Sequence, residues 1–231
     1  IAIGKDTNAT KDHAVAIGSN TTASGVQSVT VGSYSNATAD SVVAIGQESK
    51  AGGAGTGTAA VAVGYLANAS AANTVATGKS ATASVDNAVA VGVQTNASAR
   101  NAMALGGYSS ASGERATAVG AASKASGTAS FAGGTSANAS GTNSVAIGGS
   151  MTPADAAQAS AANTTAIGTG AKATHNDAIA LGAGSATKDA IANPSQTFLG
   201  KRYVFAGGSP SSVVSIGSEG KERQLVNVAA G

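Results

Sequence analysis

The chain has 231 residues, of which 42% are apolar, 10% charged and 3% aromatic, with 32 glycines and no cysteine or tryptophan. The lack of cysteine excludes a disulfide scaffold, a zinc finger and a cysteine nucleophile, and the apolar fraction is too high for a disordered chain. The net charge of +2 arises from Lys188 onward, where five basic residues face three acidic ones. No clustered basic face of the kind that binds nucleic acid is present.

A short phrase of apolar residue, alanine, apolar residue and glycine recurs along the chain. Ten of the twelve spacings between the closing glycines are fourteen residues, and the other two are eighteen and twenty. Apolar residues two apart share one side of a strand, so each unit predicts a strand, a tight turn, a second strand and a polar turn. The same spacing, with a glycine in each unit, excludes a coiled coil. The predicted turn glycines are Gly4, Gly18, Gly32, Gly46, Gly64, Gly78, Gly92, Gly106, Gly120, Gly134, Gly148, Gly168 and Gly182.

Positions within a unit are counted from the closing glycine as zero. Positions −3 and −1 carry large aliphatic residues in most units, position −2 is alanine in twelve of thirteen, and position +5 is alanine in eleven. Positions +4 and +6 are polar and predict a solvated face. We expect parallel stacking of the units into a solenoid about 60 Å long, because an isolated coil buries too little apolar surface to fold. Asparagine at −5 fits the second turn, since it tolerates left-handed φ; it occurs at Asn73, Asn87, Asn101, Asn143 and Asn163.

One face of the first strand fills the interior against the +5 alanines, and the other face remains to be covered. We expect the large residues inside and the small face at −2 to associate with other copies, although the pattern leaves the reverse assignment open. The candidate self-association face consists of Ala16, Ala44, Ala62, Ala76, Ala90, Ala104, Ala118, Ala146, Ala166 and Ala180.

Two insertions, 51–60 and 150–162, are either recognition loops or tolerated bulges. His13 and His175 lie many coils apart and the acidic residues share no common position, so no metal, cofactor or catalytic site is predicted. The motif Asn-x-Ser/Thr occurs at position +4, where turn chemistry explains it without a glycan. The asparagines concerned are Asn8, Asn36, Asn68, Asn96 and Asn138.

The coils, notably Asn-Ser-Val-Ala-Ile-Gly at 143–148, resemble the YadA-like head of trimeric autotransporter adhesins over residues 1–187. Residues 222–231 resemble the neck of that family. The resemblance implies a left-handed parallel β-roll of three chains, a neck leading to a coiled-coil stalk, and display on the bacterial outer membrane through a C-terminal anchor outside this chain. It also implies binding to host matrix or cells without catalysis. The predicted neck residues are Arg223, Gln224, Leu225, Val226, Asn227 and Val228.

The chain departs from the family pattern in two places. The collagen-binding form has serine three residues after the glycine; here Ser49 follows Gly46 but Met151 follows Gly148, which weakens collagen as the expected ligand. The segment 188–217 breaks the period and holds the densest aromatic residues. We therefore expect a head at 1–187, an irregular closing cap at 188–217 and a neck at 218–231, in a piece of a longer protein.

The predicted function is an adhesin head, and the alternative is a passive spacer of the same surface fibre. An acyltransferase on a left-handed β-helix would need a six-residue period, which fourteen residues do not provide. An ice-binding solenoid would need one residue type at +4 and +6, whereas these positions mix asparagine, threonine, serine and lysine.

Overall fold

Each repeat folds as one coil with two short strands joined by two tight turns. The computed structural model describes residues 1–53 and 59–229. Within these residues two parallel sheets run the length of the stack, a hairpin precedes the last strand, and the only helical turn is a 3₁₀ turn at Pro153–Asp155. The predicted all-β parallel solenoid of fourteen-residue coils is confirmed.

The first sheet contains the strand that precedes each closing glycine. Its strands are β1 (Ala2–Ile3), β3 (Val15–Ile17), β5 (Val29–Val31), β7 (Val43–Ile45), β9 (Val61–Val63), β11 (Val75–Thr77), β13 (Val89–Val91), β15 (Met103–Leu105), β17 (Thr117–Val119), β19 (Phe131–Gly133), β21 (Val145–Ile147), β23 (Thr165–Ile167), β25 (Ile179–Leu181) and β28 (Val214–Ser215).

The second sheet contains the strand that follows each closing glycine. Its strands are β2 (Asn8–Ala9), β4 (Thr22–Ala23), β6 (Asn36–Ala37), β8 (Lys50–Ala51), β10 (Asn68–Ala69), β12 (Thr82–Ala83), β14 (Asn96–Ala97), β16 (Ser110–Ala111), β18 (Lys124–Ala125), β20 (Asn138–Ala139), β22 (Gln158–Ala159) and β24 (Lys172–Ala173).

The strands pair so that equivalent positions of successive coils lie side by side. Alanines at −2 are paired from coil to coil, as Ala76 is with Ala90. The register also continues across both insertions, because Ala44 pairs with Ala62 and Ala146 with Ala166. The strands on either side of each insertion therefore keep the register of the stack.

The interior of the roll is filled by small side chains from both sheets. In the coil of Gly92 these are Ala88, Ala90, Thr95 and Ala97, none more than 1% exposed. This arrangement corrects the expectation that large aliphatic residues fill the interior while the −2 alanines form the self-association face. The two sheets are joined by turns of a few residues, so the gap between them admits only small groups. The alanines concerned, all 0% exposed, are Ala16, Ala44, Ala62, Ala76, Ala90, Ala104, Ala118, Ala146, Ala166 and Ala180.

The closing glycines combine a special backbone conformation with close contact between coils. Their φ values lie between 105° at Gly182 and 147° at Gly148, a region that side chains disfavour. A Cβ atom on Gly92 would lie 2.8 Å from the carbonyl carbon of Gly106 in the next coil. The sequence pattern indicated the turn, but this contact between stacked backbones emerges only from the structure.

The second turn carries asparagine in the left-handed conformation expected from the sequence. Asn73 and Asn87 have φ of 56° and 60°. The Asn73 side chain also donates a hydrogen bond from Nδ2 to Oδ1 of Asn87, at 3.2 Å. Asn143 and Asn163 form the same bond across the second insertion, at 3.1 Å. These side chains link neighbouring turns along the stack.

Buried hydroxyl groups brace both turns of a coil in the same way. Ser49 at +3 donates from Oγ to the carbonyl oxygen of Gly46, at 2.9 Å. Ser144 at −4 donates to the carbonyl oxygen of Gly141, at 2.7 Å. Both bonds reach back three residues, and the two sites are seven positions apart within the repeat. Each coil therefore consists of two related halves.

The stack ends in a strand that arrives after a long excursion. β28 pairs with β25, with Val214 opposite Ile179, and so extends the first sheet by one strand. The excursion contains the antiparallel hairpin of β26 (Ser195–Phe198) and β27 (Lys201–Val204), whose strands pair with no other strand of the described chain. The irregular segment expected at 188–217 thus covers the edge of the first sheet through β28. The boundaries of the three predicted domains stay predictions.

Candidate binding surfaces

The outer face of the first sheet carries a row of mostly aliphatic side chains, here called the aliphatic row, from positions −3 and −1, to which the coil of Gly134 contributes Phe131 and Gly133. The alternation of a strand turns these side chains outward when the −2 alanines turn inward. Several of them remain between 36% and 47% exposed in a single chain: Ile17, Ile45, Val91, Met103, Val119, Ile147, Ile167, Ile179 and Leu181. An apolar surface of this length is typical of a protein contact.

The outer face of the second sheet is polar throughout. In the twelve coils that contribute a strand to this sheet, position +4 holds asparagine, threonine, serine, glutamine or lysine, and position +6 is serine or threonine except at Gly52. Lys50, Lys124 and Lys172 are exposed on this face. The prediction of a solvated face at +4 and +6 therefore agrees with the structure.

The five Asn-x-Ser/Thr motifs at position +4 lie on this polar face. Their asparagines stand in strands β2, β6, β10, β14 and β20, with extended backbone. The prediction that turn chemistry explains these asparagines is therefore wrong, because the left-handed turn positions of these coils are elsewhere. The asparagines are Asn8, Asn36, Asn68, Asn96 and Asn138.

The serine that follows the closing glycine by three residues is structural in this chain. Ser49 is fully buried, and its hydroxyl is bonded to the Gly46 carbonyl. Met151, which departs from that pattern, lies in the second insertion and is almost fully exposed. The buried position +3 of that coil is taken by Ala157, whose N–H donates to the carbonyl oxygen of Gly148 at 2.9 Å.

The two insertions leave the stack at different edges. The insertion after Gly148 occupies the turn from the first sheet to the second and includes the 3₁₀ turn Pro153–Asp155. The other insertion follows β8 and returns at Ala60, at the opposite turn, and its residues 54–58 lie outside the described residues. The two loops therefore do not form one recognition edge.

The histidines do not assemble a site. No group of three or more histidine and acidic side chains in the described parts of the chain could hold a metal ion. His175 contacts Thr187 and Asp189, with Nδ1 2.9 Å from Thr187 Oγ1 and Nε2 3.4 Å from Asp189 Oδ1. Within residues 1–53 and 59–229, no helix is long and apolar enough to span a bilayer.

Arg223, in the segment that resembles a neck, closes the end of the roll. Its guanidinium donates to Ser185 Oγ at 2.9 Å and to the carbonyl oxygens of Ala183 and Ile216. These carbonyl oxygens lie at the end of the stack, where no further coil supplies N–H groups to bond them. Arg223 therefore acts as a cap on the last turn, a role that the neck resemblance alone did not indicate.

Lys188 and Glu219 form an exposed ion pair beside this cap, with Nζ 2.9 Å from Oε2. Their hydrogen bond raises the pKa of Lys188 and lowers the pKa of Glu219. The pair therefore exists over the pH range between the two titrations. It is lost as acid protonates Glu219 or as base deprotonates Lys188.

The coils match a known family in sequence. The profile of the family described as YadA head domain repeat (2 copies) matches residues 1–21, 23–49, 56–81, 83–109, 111–137, 134–150 and 159–185, more than half of the chain. The chain belongs to the YadA head domain repeat family. The last of these matches ends at residue 185, in the turn that follows β25 and before the hairpin that interrupts the stack.

A curated relative and two solved structures share parts of this pattern. Autotransporter adhesin BtaE of Brucella suis biovar 1 (strain 1330) is 47% identical over 47 residues, which are 20% of this chain and 6% of that protein. The C-terminal YadA-like domain of BPSL2063 from Burkholderia pseudomallei is 32% identical over 44% of this chain and 39% of that chain, with a TM-score of 0.28. The collagen-binding domain of Yersinia adhesin YadA is 25% identical over 94% and 88% of the chains, with a TM-score of 0.24. The chain thus spans a small part of the curated relative's length, and the family assignment depends on the sequence match.

Proposed function

We propose that this chain is part of a non-catalytic adhesin head on the bacterial outer membrane, assembled as a homotrimer that presents its polar sheet to host matrix or cell-surface molecules. Membership of the YadA head domain repeat family supports the adhesin role. The name of the curated relative, an autotransporter adhesin, supports surface display.

The aliphatic row is the observation that carries the assembly. The interior is already filled by alanine, serine and threonine side chains and by Val42, so the chain has no inner space left for the side chains of the row. Covering them with equivalent rows of identical copies removes this apolar surface from water. Three copies is the number that the family resemblance implies, and a closed ring satisfies every row equally.

The second sheet is the surface that such an assembly leaves outward. Its outer residues are polar, and Lys50, Lys124 and Lys172 give it scattered positive charge. A regular polar face repeated in each chain offers many weak contacts, which avidity combines into firm attachment. This geometry suits a long matrix fibre or a dense cell surface.

Binding to immobilised collagen, fibronectin and laminin tests this proposal. The chain is fused to a trimeric coiled coil, and saturable binding to at least one matrix protein is expected. A variant with Lys50, Lys124 and Lys172 changed to glutamate removes positive charge from the proposed face and should bind more weakly. The matched control changes Lys5, Lys11 and Lys79, which lie outside strands, to glutamate.

A spacer is the second candidate, and one observation favours it. The polar face repeats from coil to coil, and its lysines in the described strands, Lys50, Lys124 and Lys172, stand on strands that are not neighbours in the sheet. A trimer that binds none of the three matrix proteins would contradict the adhesin proposal and support the spacer.

A further inference from the structure

The hairpin β26–β27 leaves the roll with an apolar tip and no cover. Phe198 is 67% exposed and Leu199 is 103% exposed, and Phe205 at its base is exposed as well. A two-stranded hairpin is marginally stable in water unless it packs against another surface. The hairpin therefore needs a contact that a single copy does not provide in the described residues.

The tip breaks the usual rule for its turn. Phe198 pairs with Lys201, so Leu199 and Gly200 form a two-residue loop, with φ of 49° and 80°. Such loops favour asparagine or aspartate before the glycine, because these residues tolerate positive φ. Leu199 combines an unfavourable backbone conformation with full exposure to solvent. This combination indicates that its side chain contacts another surface.

A groove at the end of the first sheet matches this tip. It is open, lies beside β28 and has a volume of about 390 Å³. Val214 in its wall pairs with Ile179 of the aliphatic row, so the groove continues the face that we assign to contacts between copies. The apolar part of its lining is Ala186, Val213, Val214 and Ile216, and the charged side chains that line it are Lys188, Glu219, Glu222 and Arg223.

One carboxylate of the groove, Glu222, is available to a cation beside the tip, because Lys188 is paired with Glu219 and Arg223 is bonded to Ser185 and to two carbonyl oxygens. Lys201 and Arg202 follow the tip, and neither takes part in a salt bridge within the described residues. Glu219 is bonded to Lys188, whereas Glu222 has no ion pair in the same part of the chain. Backbone N–H groups, its own first and that of Gly220 second, lower the pKa of Glu222, so its carboxylate stays ionised near neutral pH. It faces solvent as a partner for a cation from outside.

We propose that the hairpin tip of one copy docks into the groove beside β28 of a neighbouring copy, with Leu199 and Phe198 in the groove and Lys201 against Glu222. The inference rests on the self-association in the proposed function. In the proposed assembly the copies meet along the aliphatic row. The hairpin lies between β25 and β28 in the sequence, so it leaves the roll at the edge of that face. Each copy would give one tip and receive another, so a ring closes without an unfilled groove.

Cysteine cross-linking of the full chain tests this contact, because the native sequence has no cysteine to interfere. The double variant Leu199→Cys, Val214→Cys is oxidised and separated on a non-reducing gel. Covalent dimers and trimers are expected. The control pairs Leu199→Cys with Met151→Cys, a site on a distant loop that is more exposed than Val214, and should stay monomeric on the gel. The single variant Leu199→Cys should also stay monomeric.

Each other result overturns the inference. An internal disulfide within monomers would mean that the tip folds onto its own groove. Covalent oligomers in the single variant would mean that the tips meet one another. Light scattering separates the two proposals: a trimer without cross-links contradicts only the hairpin contact, whereas a monomer contradicts the assembly as well.

The charge pairing has its own test. Lys201→Glu in the double-cysteine chain should slow cross-linking about two- to fivefold, which corresponds to a single exposed ion pair. Adding Glu222→Lys should restore the rate. An unchanged rate in the first variant, or no recovery in the second, would contradict the assigned pairing.

Discussion

At the residue scale, the smallest side chains determine the shape of this molecule. Position −2 must be small because it faces the other sheet across a narrow gap, and Ala90 shows this with no exposed surface. Position zero must be glycine for two reasons, since Gly92 has φ of 134° and its backbone touches the next coil. Thirteen of the 32 glycines meet this demand, one in each coil.

Replacing Gly92 by alanine should destabilise the roll by about 1–3 kcal/mol, because the new Cβ meets both an unfavourable φ and the backbone of Gly106. The thermal midpoint at fixed protein concentration measures the loss. Gly107→Ala is the matched control, since its Cβ would meet no heavy atom closer than the Val93 carbonyl oxygen at 3.8 Å. Equal losses in the two variants would contradict the assigned contact.

Placing a charge inside the roll tests the assignment of the two faces. Ala90→Asp should lower stability by roughly 3–5 kcal/mol, since the carboxylate is buried without a partner. Asn96→Asp adds the same charge to the same coil on the outer face of the second sheet, and should stay within about 0.5 kcal/mol of the parent. Circular dichroism measures the melting temperature of both variants. An unchanged melting temperature for Ala90→Asp would mean that the face assignment is inverted.

At the element scale, the coil is the unit of the fold, and its period made the strands predictable. Residues two apart place alternate side chains on opposite faces, so the strands around Val89–Val91 follow directly from the sequence. The sequence did not determine which face of these strands points inward. Both faces are non-polar, and the choice between them depends on the width of the turns that join the two sheets. The hairpin of β26 and β27 was also missed, since residues 188–213 have no period to interpret.

Shortening the second insertion tests whether the coils alone hold the register. Removing residues 151–156 returns that repeat to fourteen residues and leaves Gly149 and Ser150 as the turn. We expect a change in stability below about 1 kcal/mol, because loop length affects closure entropy only slowly and Ala146 pairs with Ala166 in either case. A large loss in the melting midpoint would show that the loop supports the stack.

At the scale of the whole molecule, one face is apolar and the other polar along the full stack. The small residues that fill the interior leave the larger aliphatic side chains nowhere to go but outward, as Ile147 illustrates at 40% exposure. A single copy therefore presents a stripe of apolar surface from its first coil to β28. The sequence predicted that one face of the first strand is left uncovered by its own chain, and the structure shows that this is the face of the large aliphatic residues.

The mass of the full chain in solution, measured by light scattering at several concentrations, tests this account most directly. Each chain weighs 21.6 kDa, so three copies that cover the aliphatic row should give about 65 kDa. A folded species of 21.6 kDa at every concentration, with a cooperative melting transition, would contradict the account, because the row would then be stable in water without a partner.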